Sequence, residues 1–120
     1  MRATGDIFEL RACTELERAG LKLLARNYHT RYGELDLVML DRNVVVFVEV
    51  RYRKNSSHGD AAASITPSKQ AKLIKAAELW LSAHTKWANS DCRFDVVAYD
   101  GPASKVRMMW LRGGFENQST

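Results

Sequence analysis

The chain is poor in the residues that build cross-links and metal knots: two cysteines and three histidines among 120 residues. Cys13 and Cys92 stand far apart with no CxxC spacing, and His29, His58 and His84 are scattered. No arrangement suits a structural zinc site or a Cys/His nucleophile, so the thiols are expected to be free and partly buried. Long hydrophobic runs are missing too. The longest, Val44 to Val48, ends at Glu49 and falls far short of the roughly 20 residues a bilayer requires. Met1 to Asp6 carry no apolar secretion segment, so the expectation is a cytoplasmic protein with no membrane contact.

What remains is ordinary globular material. Hydrophobic residues make up 46% and charged residues 27%, and 120 residues suffice for one core but not two. Residues 1–112 are expected to form a single domain, with 113–120 a frayed, disordered tail. The net charge of +4 and a pI near 9.3 suit a polyanionic partner such as nucleic acid, although many basic proteins have none.

Asp6-Ile7-Phe8-Glu9 has the spacing of a capping box, followed by Phe8, Ala12, Leu16 and Ala19 at helical intervals, with Gly20 as the stop. Leu21 to Tyr28 reads as a first strand. Gly33 to Asp41 alternates, with Leu35, Leu37 and Met39 on one side and Glu34, Asp36, Val38 and Leu40 on the other. Val44 to Arg51 is apolar on both sides until Glu49, the mark of an interior strand. Tyr52 to Ile65 is polar and small, and is expected to be a mobile surface loop. Thr66-Pro67 then opens a helix that places Leu73, Ala77, Trp80, Leu81 and His84 on one face. Arg93 to Tyr99 and Val106 to Leu111 complete the order α-β-β-β-α-β-β, which predicts an α/β fold with a mixed sheet flanked by helices.

The hairpin register carries the functional content. With Arg42-Asn43 as a two-residue turn, Asp41 pairs with Val44, Asp36 comes opposite Glu49, and Glu34 comes opposite Arg51. Opposed residues share a face, with Cβ atoms about 5 Å apart. Two ionised carboxylates that close repel by about 3 kcal/mol at an effective dielectric of about 20. Mg²⁺ or Mn²⁺ between them would reverse the sign, since hard cations take oxygen ligands. The alternative is an ion pair of Glu49 with Arg51 or Arg53 at the sheet margin.

Several stretches together resemble the YraN family: Gly33-Glu34-Leu35-Asp36-Leu37-Val38, Phe47-Val48-Glu49-Val50-Arg51-Tyr52-Arg53, Lys69, and Arg93-Phe94-Asp95-Val96-Val97. Glu9, Ala12 and Arg26-Asn27 fit the same pattern, and the resemblance spans roughly residues 5–100. It implies a restriction-endonuclease-like fold, similar to Holliday junction resolvases that cut DNA with Mg²⁺ and work as dimers. Asp36 and Glu49 then match the acidic residues of a D…ExK pattern, and Glu9 resembles the helix-borne glutamate that completes such metal sites. Glu34 belongs to the motif as a supporting residue. Two departures stand out: Arg51 occupies the place of the usual lysine, and Phe8 that of a glycine. Arginine holds a phosphate but stays protonated and cannot act as a general base.

The implied function is Mg²⁺-dependent hydrolysis of DNA phosphodiester bonds, with Asp36, Glu49 and Arg51 catalytic and Arg51, Arg53, Lys54 and Lys69 contacting DNA. A non-catalytic DNA-binding module of the same fold and a protein-interaction domain with a salt-bridged acidic pair stand as alternatives.

Overall fold

The computed structural model describes residues 3–55 and 59–115. Helix α1 spans Ala3–Arg18, beginning upstream of the predicted cap. Asp6 therefore lies within the first turn, and Glu9 is not the second half of a capping box. The far end follows the sequence: Gly20 adopts φ +100°, its N–H donates to the Glu17 carbonyl at 3.0 Å, and Leu21 N–H donates to Leu16 at 3.1 Å. That is a Schellman stop, with Leu16 and Leu21 buried in one apolar cluster.

Strands β1 (Lys22–Thr30), β2 (Gly33–Asp41), β3 (Val44–Arg53), β4 (Asp91–Asp100) and β5 (Arg107–Phe115) form one sheet in sequential order. Only β3 and β4 are parallel, so the sheet is mixed and the crossover between them carries the short helix α2 (Asp60–Ala63) and the long α3 (Pro67–Ala83). Thr66 caps α3, accepting the Lys69 N–H at 3.2 Å, as the Thr-Pro signal requires. This architecture of a central mixed sheet with flanking helices is consistent with a restriction-endonuclease-like fold. Among the described residues, no helix is long and apolar enough to cross a membrane.

Both faces of the centre are buried. Val45 and Phe47 join Ile74, Ala77 and Trp80 beneath α3, while Val46 and Val48 join Phe8, Ala12 and Leu16 beneath α1. That double cover is why Val44 to Val48 carries no polar side. Arg42 turns the β2–β3 hairpin with φ +58°, a conformation glycine would reach at less steric cost, and Asp41 pairs with Val44 as expected. One alternation fails: Leu35 packs beneath α3 with Val38, whereas Leu37 and Met39 lie beneath α1. The strand changes face at Asp36.

Two expectations of looseness need correction. In the stretch from Tyr52 to Ile65, Tyr52 and Arg53 belong to β3, and Ala61 and Ile65 are buried. Asp100 anchors the α2 end, its carboxylate accepting the Gly59 N–H at 3.0 Å and the Ala61 N–H at 2.8 Å. Residues 56–58 of that stretch lie outside the described residues. Gly113 to Phe115, expected to fray, belong to β5, with Phe115 stacked 4.8 Å from Phe94; residues 116–120 lie outside the described residues. The two thiols are free, Cys13 buried and Cys92 exposed rather than partly buried.

Asp95 ties β5 down. Fully buried, it accepts from Arg93 Nε (3.0 Å) and Nη2 (3.3 Å), Trp110 Nε1 (3.0 Å) and Gly113 N–H (2.9 Å). Arg93 also pairs with Asp41 at 2.9 Å, joining the hairpin turn to β4. Asp95→Ala strands these donors and is expected to cost on the order of 3–5 kcal/mol in urea denaturation. A loss below about 1 kcal/mol would show that the clamp is redundant.

Candidate functional site

The hairpin register brings Asp36 opposite Glu49 at the point where regular pairing gives out. The β2–β3 ladder stops at Leu37 and Val48. One step further, Asp36 Oδ2 accepts the Val50 N–H at 2.8 Å, so a side chain takes up a main-chain donor of β3. Asp36 and Glu49 are each only 7% exposed, and their carboxyl groups lie close enough to interact directly. Two carboxyl groups buried this close resist being ionised together, which favours one shared proton or a cation. Burial above all, then the Glu49 charge, raises Asp36 to about 8 against the pull of the Val50 amide. Glu49 is also raised, chiefly by burial, against the hydrogen bond to Asp36 and the charges of Arg51 and Lys69.

Both sequence readings of Glu49 meet here. Arg51 Nε lies 3.2 Å from Glu49 Oε2, yet this buried nitrogen makes no aligned hydrogen bond. The contact is a charge contact only. Glu34 is not a ladder partner of Arg51, since pairing has already ended; it is in register with His29 of β1, whose Nε2 lies 3.7 Å from its carboxylate.

Glu9 is 2% exposed and turns toward the same place from α1. With its amide nitrogen toward the acids, Asn27 donates to Glu9 Oε1 at 2.7 Å and to Glu34 Oε1 at 3.1 Å. Asn27 holds a left-handed φ of +52° inside a strand, a conformation Asn tolerates better than most residues. The sequence pattern included Asn27 without a role; its bridging depends on that backbone turn, which no local signal announced.

Glu9, Glu34, Asp36 and Glu49 all line one cleft of about 340 Å³. Arg51 and Lys69 line it as well, bringing most of the expected site together. Arg53 and Lys54 sit exposed at the end of β3, outside this lining. Tyr32, Tyr52 and Lys72 line the cleft and were not foreseen as site residues. Lys72 lies off the apolar face of α3, which is why it reaches the cleft.

Among the described residues, no three His, Cys, Asp or Glu side chains are grouped closely enough to hold an ion by themselves. The donors present are two adjacent buried carboxylates, all oxygen. Mg²⁺ is ordinarily bound through one or two carboxylates, with water and substrate phosphate completing its shell, so this donor set fits it. Asp36 and Glu49 would be the ligands, and Glu9 lines the same cleft.

A sequence profile described as "Uncharacterised protein family UPF0102" matches residues 8–99. Similar proteins include a UPF0102 protein of Stutzerimonas stutzeri, 50% identical over 116 residues that make up 97% of each chain. One from Pseudomonas fluorescens is 50% identical over 115 residues, covering 95% of this chain and 94% of its own. Another, from Nitrosococcus oceani, is 48% identical over 118 residues, covering 98% and 95%.

The shared proton makes stability depend on pH. Asp36 ionises near 3.8 when unfolded and near 8 when folded, so the native state binds the extra proton between those values. Its contribution is therefore favourable at the acid end and declines as pH rises through that window. Asp36→Asn removes the titration. Its stability relative to the wild type is expected to rise by on the order of 2–4 kcal/mol from pH 5 to pH 8, measured by urea denaturation. A difference independent of pH would contradict the shared proton.

Proposed function

The chain belongs to the UPF0102 family, and on that footing we propose that it is a divalent-metal-dependent nuclease acting on DNA phosphodiester bonds. The observation that carries this reading is the buried Asp36–Glu49 pair, short of hydrogen-bond donors, at the base of a cleft rimmed by Arg51 and Lys69. A carboxyl pair held so close stays protonated or takes a cation, and the basic rim suits the phosphate that would bring negative charge to it.

Asp36 and Glu49 would hold Mg²⁺ or Mn²⁺ once they release their proton. The cation would supply Lewis-acid activation of the phosphodiester and of the attacking water. Asn27 keeps Glu9 and Glu34 in place beside that position. Arg51 offsets charge gathering on the phosphate, and Lys69, in the first turn of α3, meets a flanking phosphate near the positive end of the helix dipole. Because a guanidinium keeps its proton, acceptance of the water's proton falls to a carboxylate of the cleft.

One observation favours a second reading, binding without cleavage. Arg51 stands where the resembled nucleases carry lysine, and its Nε is engaged with Glu49.

Calorimetry with Mn²⁺ at pH 7 tests the metal site. Binding is expected to release close to one proton, seen as a buffer-dependent heat, and Glu49→Gln should abolish it. Unchanged binding by Glu49→Gln would remove the proposal. Cleavage assays on duplex, flapped and four-way DNA then separate the two readings. Metal-dependent cutting that falls at least 100-fold in Asp36→Asn supports hydrolysis, whereas binding without cutting, with cleavage gained in Arg51→Lys, supports the binding module.

A further inference from the structure

The cleft has unequal walls. On one side Phe8 stacks on Tyr52 at 4.1 Å, an aromatic wall. On the other, Lys69 and Lys72 come from α3. Lys75 continues the same helical stripe, because residues three apart are neighbours on a helix surface. The helical rise spreads the three along about 9 Å.

The β1–β2 turn prolongs this row. Lys75 Nζ lies 5.1 Å from the centre of the Tyr32 ring, and Arg31 Cζ lies 5.1 Å from the same ring. Tyr32 thus gathers two cations beside the cleft it lines. Among the described residues, none of Arg31, Lys69, Lys72 and Lys75 forms an ion pair, although Arg18, Arg51 and Arg93 do. The sole carboxylate of α3, Glu78, lies a turn beyond Lys75 and is not paired with it. A merely solvated face would interleave acids with its lysines to relieve repulsion. Lys69 acts on Glu49 across the cleft, but from Lys72 to Lys75 and Arg31 the like charges converge, and a polyanion relieves them.

We infer that Lys69, Lys72, Lys75 and Arg31, the last two gathered on Tyr32, form a track for the phosphate backbone of one DNA strand leading out of the acidic cleft along α3. The inference rests on the cleft being where the phosphodiester sits. About 9 Å of helix is long enough to meet about two consecutive phosphates of one strand. The strand leaves past the β1–β2 turn.

Binding of labelled duplex and single-stranded oligonucleotides in EDTA, across about 50–200 mM salt, tests the track without calling on metal or hydrolysis. Lys72→Ala and Lys75→Ala should each lower the slope of log affinity against log salt by about 0.9 on duplex or 0.7 on single strand. Arg31→Ala should do the same. Tyr32→Ala, which scatters the two cations, should weaken binding several-fold. Lys86→Ala, in the turn after α3, serves as a control and leaves the slope unchanged. Thermal melts establish that each surface variant is folded. Slopes unchanged in the α3 variants overturn the track even if Mn²⁺ binds normally, and a wild type that binds neither oligonucleotide overturns it too. Lysine-dependent slopes in a protein that binds no Mn²⁺ leave the track standing while removing the hydrolytic reading.

Discussion

The arrangement at the end of the β2–β3 hairpin depends on the crowding of two buried carboxyl groups, Asp36 and Glu49. Their opposition follows from the turn at Arg42, their burial from the two helices covering the sheet, and their raised pKa values from both together. Repulsion at that spacing is too large to leave both ionised in a low-dielectric site. The ladder stops one step short of the pair, and the Val50 amide donates to Asp36 instead. The change of face between Leu35 and Leu37 belongs to the same event.

Burial of an acid does not by itself mark a site. Asp95 and Asp100 are as deeply buried as any side chain in the molecule, yet each is satisfied by donors: Arg93, Trp110 and the Gly113 amide for one, two main-chain amides at α2 for the other. Both serve to fasten elements to the sheet. Asp36 and Glu49 have between them one amide, each other, and an arginine whose Nε is poorly aligned. The difference is a shortage of donors, and it separates a carboxylate that fastens from one that can accept a cation.

Much of the fold was legible because it rests on short-range physics. The Thr66-Pro67 helix start, the Gly20 stop and the doubly apolar β3 each carry their cause in adjacent residues. Errors gathered where distant partners decide. Asp100 orders the start of α2 from across the sheet, and Asp95 holds Gly113 in β5 through a partner far back in the chain. Glu9 read as a helix cap because the local spacing fits one, but α1 begins earlier and the residue is buried against the sheet end.

The sequence by itself determined the opposition of Asp36 and Glu49, since hairpin register is counted residue by residue from a tight turn. It also determined the mixed sheet, through strand pattern and crossover. Only tertiary structure decided that Asn27 bridges Glu9 and Glu34, that Arg51 contacts Glu49, and that Arg31 and Lys75 converge on Tyr32. Those contacts join elements remote along the chain, and their geometry depends on how helices seat on the sheet and on one asparagine in a left-handed turn. Periodicity reports which face a residue takes; it carries no information about what another element brings to that face.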